Sequence, residues 1–197
     1  MILAAARGLF ADRGYDRTTL RAIAASAEVD PALIRHYFGN KEALTVEALR
    51  PTADPAIIFA GLSRDAPSLG ADFLTSALTV WESDGPQRDR AIALLRIAVT
   101  HDQVAERMRA FFFGLVKRML ADFTSDDDSR DLRLALIASQ FLGIVMARYV
   151  LCQPDIVDAD VEELAARVGP LVDHYLQIRS VGQGVVGRSS EDDDIDG

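Results

Sequence analysis

Four side chains able to hold an anion stand close together near the start of the sequence. Arg21, Arg35, His36 and Lys41 all fall within "TTLRAIAASAEVDPALIRHYFGNKEAL", residues 18–44, around what reads as a sharp corner between two short helices. Guanidinium and ammonium groups bind phosphate, and an imidazole can donate to a phosphate or a base edge. The residue types that carry enzyme chemistry are sparse elsewhere. His36, His101 and His174 are the only histidines, none in a metal or nucleophile motif, and a Gly-rich phosphate loop is absent. His101–Asp102 and Asp173–His174 are sequence neighbours, which fits satisfied surface pairs better than a catalytic dyad. Cys152 is alone, so an intramolecular disulfide and a multi-cysteine metal site are excluded, and packing is its expected role. The pattern points to binding and not to catalysis, with no metal and no cofactor.

An acidic chain is an unusual carrier for such a cluster. The formal charge is −9 over 197 residues, but residues 1–50 hold seven Lys/Arg against six Asp/Glu, so the remainder carries −10. Net charge bounds solubility, while local charge selects the partner. Part of the excess lies in "SSEDDDIDG", and residues 181–197 read as a disordered acidic tail. No apolar run approaches the length of a membrane span, and "MILAAARGLFADRGY" lacks a secretory apolar core. A cytoplasmic protein without a membrane partner is the expectation.

The elements that must position the cluster are helices. Apolar residues recur with helical period throughout, and no alternating strand is evident. Helix one, about 2–13, gathers Ile2, Leu3, Ala6, Leu9 and Phe10 and stops at Gly14. Helix two follows Thr18, an N-cap type, and buries Leu20, Ile23, Ala24 and Ala27. Asp30 caps helix three, with Pro31 in its first turn. Helix four follows Asn40 as "KEALTVEALR", and Pro51 ends it. Beyond "PTADPA" the spacing predicts a short helix at 56–63, longer ones at 67–83, 86–100 and 103–123, and two more at 129–152 and 158–179. The expected fold is all-α: a three-helix helix-turn-helix head on a C-terminal bundle, about nine to ten helices in all.

In a helix-turn-helix the second helix enters the major groove by its N-terminal half. Packing helix three through Ile34, Tyr37 and Phe38 leaves Pro31, Ala32, Arg35 and His36 outward, with Tyr37 also counted among the DNA-binding positions. Lys41 and the first amides of helix four suit a flanking phosphate. A helical hairpin with a basic outer face satisfies the same pattern without binding DNA.

Residues 2–50 resemble the N-terminal domain of the TetR family of bacterial regulators. "HYFGNKEAL" is close to that family's most recognisable stretch, and "GYDRTTLRAIAASAEVDPALIRHYF" follows the pattern before it. The resemblance implies that Thr18 or Thr19 and Lys41 anchor phosphates, and that Arg21, Ala32 and His36 are candidates for base contact. Three departures stand out. Glu28 occupies the turn position where the family usually has Gly, Arg35 stands where Tyr is common, and Met1 lies directly inside helix one, where a basic arm usually precedes it. Either that arm lies ahead of this sequence or binding is weaker.

The resemblance also gives residues 51–180 two expected tasks. The first is homodimerisation through the last two helices, so that two heads meet a near-palindromic double-stranded operator. The assigned face is Leu136, Phe141, Gly143, Ile144 and Ala147 with Val161, Leu164, Val168, Leu171 and Leu176. The second is a cavity for a small apolar or amphipathic effector among Leu78, Trp81, Leu95, Met108, Phe111, Phe112 and Leu115, greeted by Arg96 and His101. The expected function is a DNA-binding regulator, a repressor released by its effector. The alternative is a helical protein-interaction module that has lost DNA binding, and salt-dependent binding of genomic fragments discriminates them.

Overall fold

The computed structural model describes residues 1–51, 60–83 and 85–177. Ten α-helices and no strand occur among the described residues. The first four are α1 (Ile2–Arg17), α2 (Leu20–Ser26), α3 (Pro31–Phe38) and α4 (Lys41–Leu49). The rest are α5 (Leu69–Ser83), α6 (Gly85–Thr100), α7 (Asp102–Leu120), α8 (Arg130–Val145), α9 (Pro154–Asp158) and α10 (Val161–Gln177). The short helix expected at 56–63 and the acidic tail at 181–197 lie wholly or mainly outside the described residues.

The head helices are closed by their own neighbours. Thr19, Asp30 and Asn40 each accept a hydrogen bond from a backbone amide two or three residues on, at Ala22, Ala32 and Ala43. Gly14 adopts φ 77°, ψ 171°, a region open to Gly alone, and breaks α1 where the sequence places its end; a last turn then carries the helix to Arg17. Ala6, Phe10, Ile23, Ala24, Ile34 and Leu44 fill the head's core, which continues without a seam onto Leu94, Ala98 and Val104 of α6 and α7.

The body is knit by a close crossing of α5 and α10. A Cβ on Gly70 would fall 2.2 Å from the Gly169 carbonyl oxygen, so only glycine permits this approach. Around it Phe73, Leu74, Leu78, Leu134, Ile137 and Val172 form a second core.

Several expectations about the body change. The helix expected over 129–152 is α-helical to Val145 and continues as one π turn, Met146–Val150. The break at "QPD" contains the short α9. Arg130–Val150 does reach span length, 21 residues at mean hydropathy 1.3, against the sequence expectation that no run comes close. Its apolar residues form two stripes, of which Leu134, Ile137, Ile144 and Val145 enter the body. The buried Arg133 on the same side pairs with Asp127 at 2.8 Å and donates to Thr124 at 3.0 Å and to the Ser125 carbonyl at 2.7 Å. This is the architecture of a bundle helix.

Candidate nucleic-acid interface

The corner between α2 and α3 is built from backbone bonds. The Val29 amide donates to the Ala24 carbonyl at 3.0 Å and the Glu28 amide to Ala25 at 3.3 Å, the pair of bonds that closes a helix when the next residue turns left-handed. That residue is Glu28, at φ 53°. Glu28 thus takes the left-handed conformation that the Gly usual at this turn adopts without a Cβ penalty.

From this corner α3 projects with Ile34 fully buried and Ala32, Arg35 and His36 exposed. Tyr37 does not help pack the helix: it is 69% exposed, edge-on to His36 at 5.2 Å, and so joins the outer face. Phe38 alone flanks Ile34 on the packed side. Arg21 and Thr19 are exposed beside this face and Pro31 is half-buried, while the Thr19 hydroxyl oxygen is engaged as the cap of α2.

Two expected phosphate anchors have other partners. Thr18 is fully buried, its hydroxyl hydrogen-bonded to the carbonyls of Gly14 at 2.8 Å and Leu9 at 3.1 Å, so it is a strut inside the head and cannot touch DNA. Lys41 donates to the Tyr15 carbonyl at 2.6 Å and lies 3.9 Å above the Tyr15 ring. Burial holds its ammonium below the ordinary lysine range, opposed by Asp16 and Glu42. An ammonium has three donors, so two remain for an outside oxygen. Burial first, and then Glu42, push the Tyr15 hydroxyl up to about 12; it donates to Glu42 Oε1 at 3.2 Å.

His101 belongs to this junction and not to an effector cavity. Its Nε2 lies 2.9 Å from Asp16 Oδ1, and its ring meets Tyr15 edge-on at 4.5 Å. Arg96 is exposed and likewise lines no interior. Of the remaining effector residues, Trp81, Leu95 and Met108 come together, with Ala91, Phe141, Val145 and Tyr149. Leu78 sits in the α5–α10 core instead, and Phe111, Phe112 and Leu115 are half-buried along α7, with Phe111 5.2 Å from the Arg50 guanidinium. Helical spacing alone thus merges residues from separate clusters.

The expected dimer face divides as well. Ile144, Val161, Leu164 and Leu176 are buried in the body's own core, against which Phe141 and Val168 also pack, so a partner cannot meet them as a face. Leu136 and Ala147 are half-buried. Gly143 is exposed with open space beside it, and Leu171 is 49% exposed. Leu132 and Leu142, absent from the expected set, complete the outer stripe, Leu132 being 64% exposed. Leu132 stands four residues before Leu136 and eleven before Gly143, one helical face, and that spacing is the signal that could have found it.

Residues 68–176, more than half of the chain, match the family profile described as "Tetracyclin repressor-like, C-terminal domain", and residues 2–48 match "Bacterial regulatory proteins, tetR family". The chain belongs to the TetR family. A TetR-family regulator from Streptomyces coelicolor A3 is 31% identical in its solved structure, with a TM-score of 0.71 over 90% of this chain and 93% of that one. The HTH-type transcriptional regulator BetI of Rhizobium meliloti (strain 1021) is 27% identical over 172 residues, 86% of this chain and 71% of the relative. NalD of Pseudomonas aeruginosa, described as the secondary repressor of the MexAB-OprM multidrug efflux pump, shares the fold at 22% identity, TM-score 0.58, over 84% of this chain and 91% of its own. The exposed α3 face is therefore carried by a TetR-type helix-turn-helix, in a family of transcription regulators that are typically dimeric and ligand-responsive.

Proposed function

We propose that this TetR-family regulator is a cytoplasmic homodimeric repressor that α3 holds on a near-palindromic operator until a small apolar or amphipathic effector releases it. In this reading residues 1–50 are the DNA-binding domain and 51–180 serve effector binding and dimerisation. The observation that carries it is the split of α3, with Ile34 buried and Ala32, Arg35, His36 and Tyr37 together on the outward face of the helix that a helix-turn-helix sets in a major groove. Arg35, Arg21 and the two unengaged donors of Lys41 supply charge, and His36 with Ala32 and Pro31 supplies sequence preference. Thr19 borders the same surface.

The dimer face in this reading is the outer stripe of Leu132, Leu142 and Gly143 on α8 with Leu171 on α10. Coupling to the effector is supported by α6, which has two packed sides. Ala91 and Leu95 touch the Trp81 cluster, Leu94 and Ala98 belong to the head's core, and His101 just beyond its end contacts Asp16. A ligand that moves one side moves the other, and it shifts DNA affinity by its differential affinity for the two arrangements.

Binding of purified protein to sequenced genomic fragments tests the reading. Two heads should select half-sites about 34–36 Å apart. His36→Ala should narrow the gap between operator and random DNA by about 1–3 kcal/mol per lost base contact. Lys41→Ala should weaken both DNAs and flatten the salt dependence by roughly one unit per contact in each subunit. Unchanged binding by both variants at moderate salt removes α3 as the reading element and leaves a protein-interaction module.

A further inference from the structure

Trp81 is the chain's one tryptophan and packs in a small cluster with Ala91, Leu95 and Val145. It is 8% exposed, and its indole Nε1 is enclosed with no hydrogen-bond partner among the described residues. That N–H is the side chain's only polar group and it is a donor alone, so the missing partner is an acceptor. Buried donors without partners are rare in native proteins, because each has left water without replacement.

The neighbourhood narrows what the acceptor can belong to. Phe141 stands edge-on to the indole at 6.0 Å, and Tyr149 lies tilted against it at 6.0 Å. The polar groups of Glu82, Arg148 and Tyr149 are engaged with one another. The Tyr149 hydroxyl donates to Glu82 Oε1 at 2.7 Å, and Arg148 pairs with the same oxygen at 2.9 Å. Arg148 also donates to the carbonyls of Ile156 and Ala159. Two cations flank Tyr149 and each already has a carboxylate, Arg148 with Glu82 and Arg88, 5.8 Å from the ring, with Asp89 at 4.0 Å, so the indole is left as a neutral donor.

The backbone beside the indole is the π turn Met146–Val150, which carries Met146 and Tyr149 to the ring. Single π turns inside helices recur at functional sites. Met146 and Met108 are unbranched and polarisable, so this wall can repack around a guest.

We infer that the effector site centres on Trp81 Nε1 and takes a neutral, largely apolar ring compound bearing one carbonyl acceptor: a ketone, ester or lactone. This rests on the reading of the body as the effector-binding part. A carboxylate would bring an unbalanced negative charge beside Glu82, whose cation is already committed, and a buried unpaired charge is strongly disfavoured. A pure hydrocarbon would leave the indole donor as it stands.

Three near-isosteric probes separate these classes: acetophenone, ethylbenzene and benzoate, titrated into the full-length protein. Because Trp81 is the sole tryptophan, its indole N–H gives one nitrogen-15 correlation peak. Acetophenone should bind about tenfold more tightly than ethylbenzene, the ratio for one added hydrogen bond, with benzoate weaker than acetophenone. Its binding should move the indole proton downfield, and Trp81→Phe, checked for native helicity, should bring acetophenone to the level of ethylbenzene. Equal binding of the three, no saturable binding by any, or an indole peak that acetophenone leaves in place, as a resident water would, overturns the inference. Operator retention is read in parallel. Acetophenone binding with these signatures but no loss of operator binding keeps the Trp81 assignment and defeats the effector reading. Operator release by compounds that leave the indole peak unmoved does the reverse.

Discussion

The head and the body of this chain are both helical, yet they are closed by different means. In the head, α2, α3 and α4 are seven to nine residues long, and each begins at a side-chain cap from the residue just before it. Helices so short are marginal alone, since nucleation is unfavourable and few bonds follow it. Local caps, each worth about 1 kcal/mol, therefore matter there. In the body, α7, α8 and α9 have no side-chain cap bond. Local caps do occur at α5, where Ser68 accepts from the Ala71 amide at 3.0 Å, and at α10, where Asp160 accepts from the Glu163 amide at 2.6 Å. But α5 is also held from across the chain by Asp173, which accepts from the Gly70 amide at 2.7 Å and from the Ser68 hydroxyl at 2.6 Å. The short helices of the head are thus held chiefly by neighbours in sequence, and the body adds contacts between helices far apart in the chain.

The largest blow to this contrast comes from the crossing itself. A Cβ on Gly169 would lie 2.6 Å from the Ala71 nitrogen and 2.8 Å from its Cα, backbone atoms that cannot swing aside. Gly169→Leu should cost about 3 kcal/mol or more, at the upper end of overpacking, and should melt the body before the head in hydrogen exchange. Gly143→Leu meets open space on the outer stripe and leaves the subunit's helicity intact. Sedimentation should show it monomeric with operator affinity lost; a dimeric Gly143→Leu, with Leu142→Arg also dimeric, removes this face.

A second test lies where the body does use local polar closure. The Asp127 carboxyl is held down from 3.8 to about 2, first by the hydrogen bond from Arg133 and then by those from Ser129. Folding therefore favours the ionised form. The resulting stabilisation is complete above the ordinary carboxylate pKa and disappears as pH falls from about 4 through about 2. Melting temperatures across that window should fall in the parent protein. In Asp127→Asn, whose buried Arg133 has lost its counter-charge, they should start lower at neutral pH and lose this component of the decline.

The same contrast decides what was legible in advance. Asp30, Asn40, Gly14 and Glu28 act on the next few residues, so their roles are written in the order of the chain. Asp173, His101 and Lys41 act over distances set by packing, and no spacing rule connects Asp16 with His101 or Lys41 with the Tyr15 carbonyl. Thr18 has the right type for a cap and sits one residue early, so the hydroxyl that reads as a phosphate anchor is buried under Leu9. On α8 two apolar stripes share one helix, and period alone cannot say which faces the core. Ile144 was assigned outward and Leu142 overlooked for that reason.

The smallest expected effect is the most direct on the reading head. Glu28 sits at φ 53° with both of its corner's backbone bonds formed, so its conformation is imposed by the turn and disfavoured by its own Cβ. Glu28→Gly removes that clash and should stabilise the protein by about 1 kcal/mol despite the freer unfolded chain. For a chain of this length that is a rise in melting temperature of about 2–4 °C. The substitution also removes an exposed negative charge from the turn that leads into α3, so nonspecific DNA affinity at low salt should rise severalfold and the gain should fade as salt screens it. Glu28→Ala separates the two contributions, because it deletes the charge and keeps a Cβ in the left-handed region. It should gain the DNA affinity without the thermal stability. Equal melting temperatures for Glu28→Gly and Glu28→Ala would mean that the corner relaxes around its side chain, and that the head is less rigid than its hydrogen bonds imply.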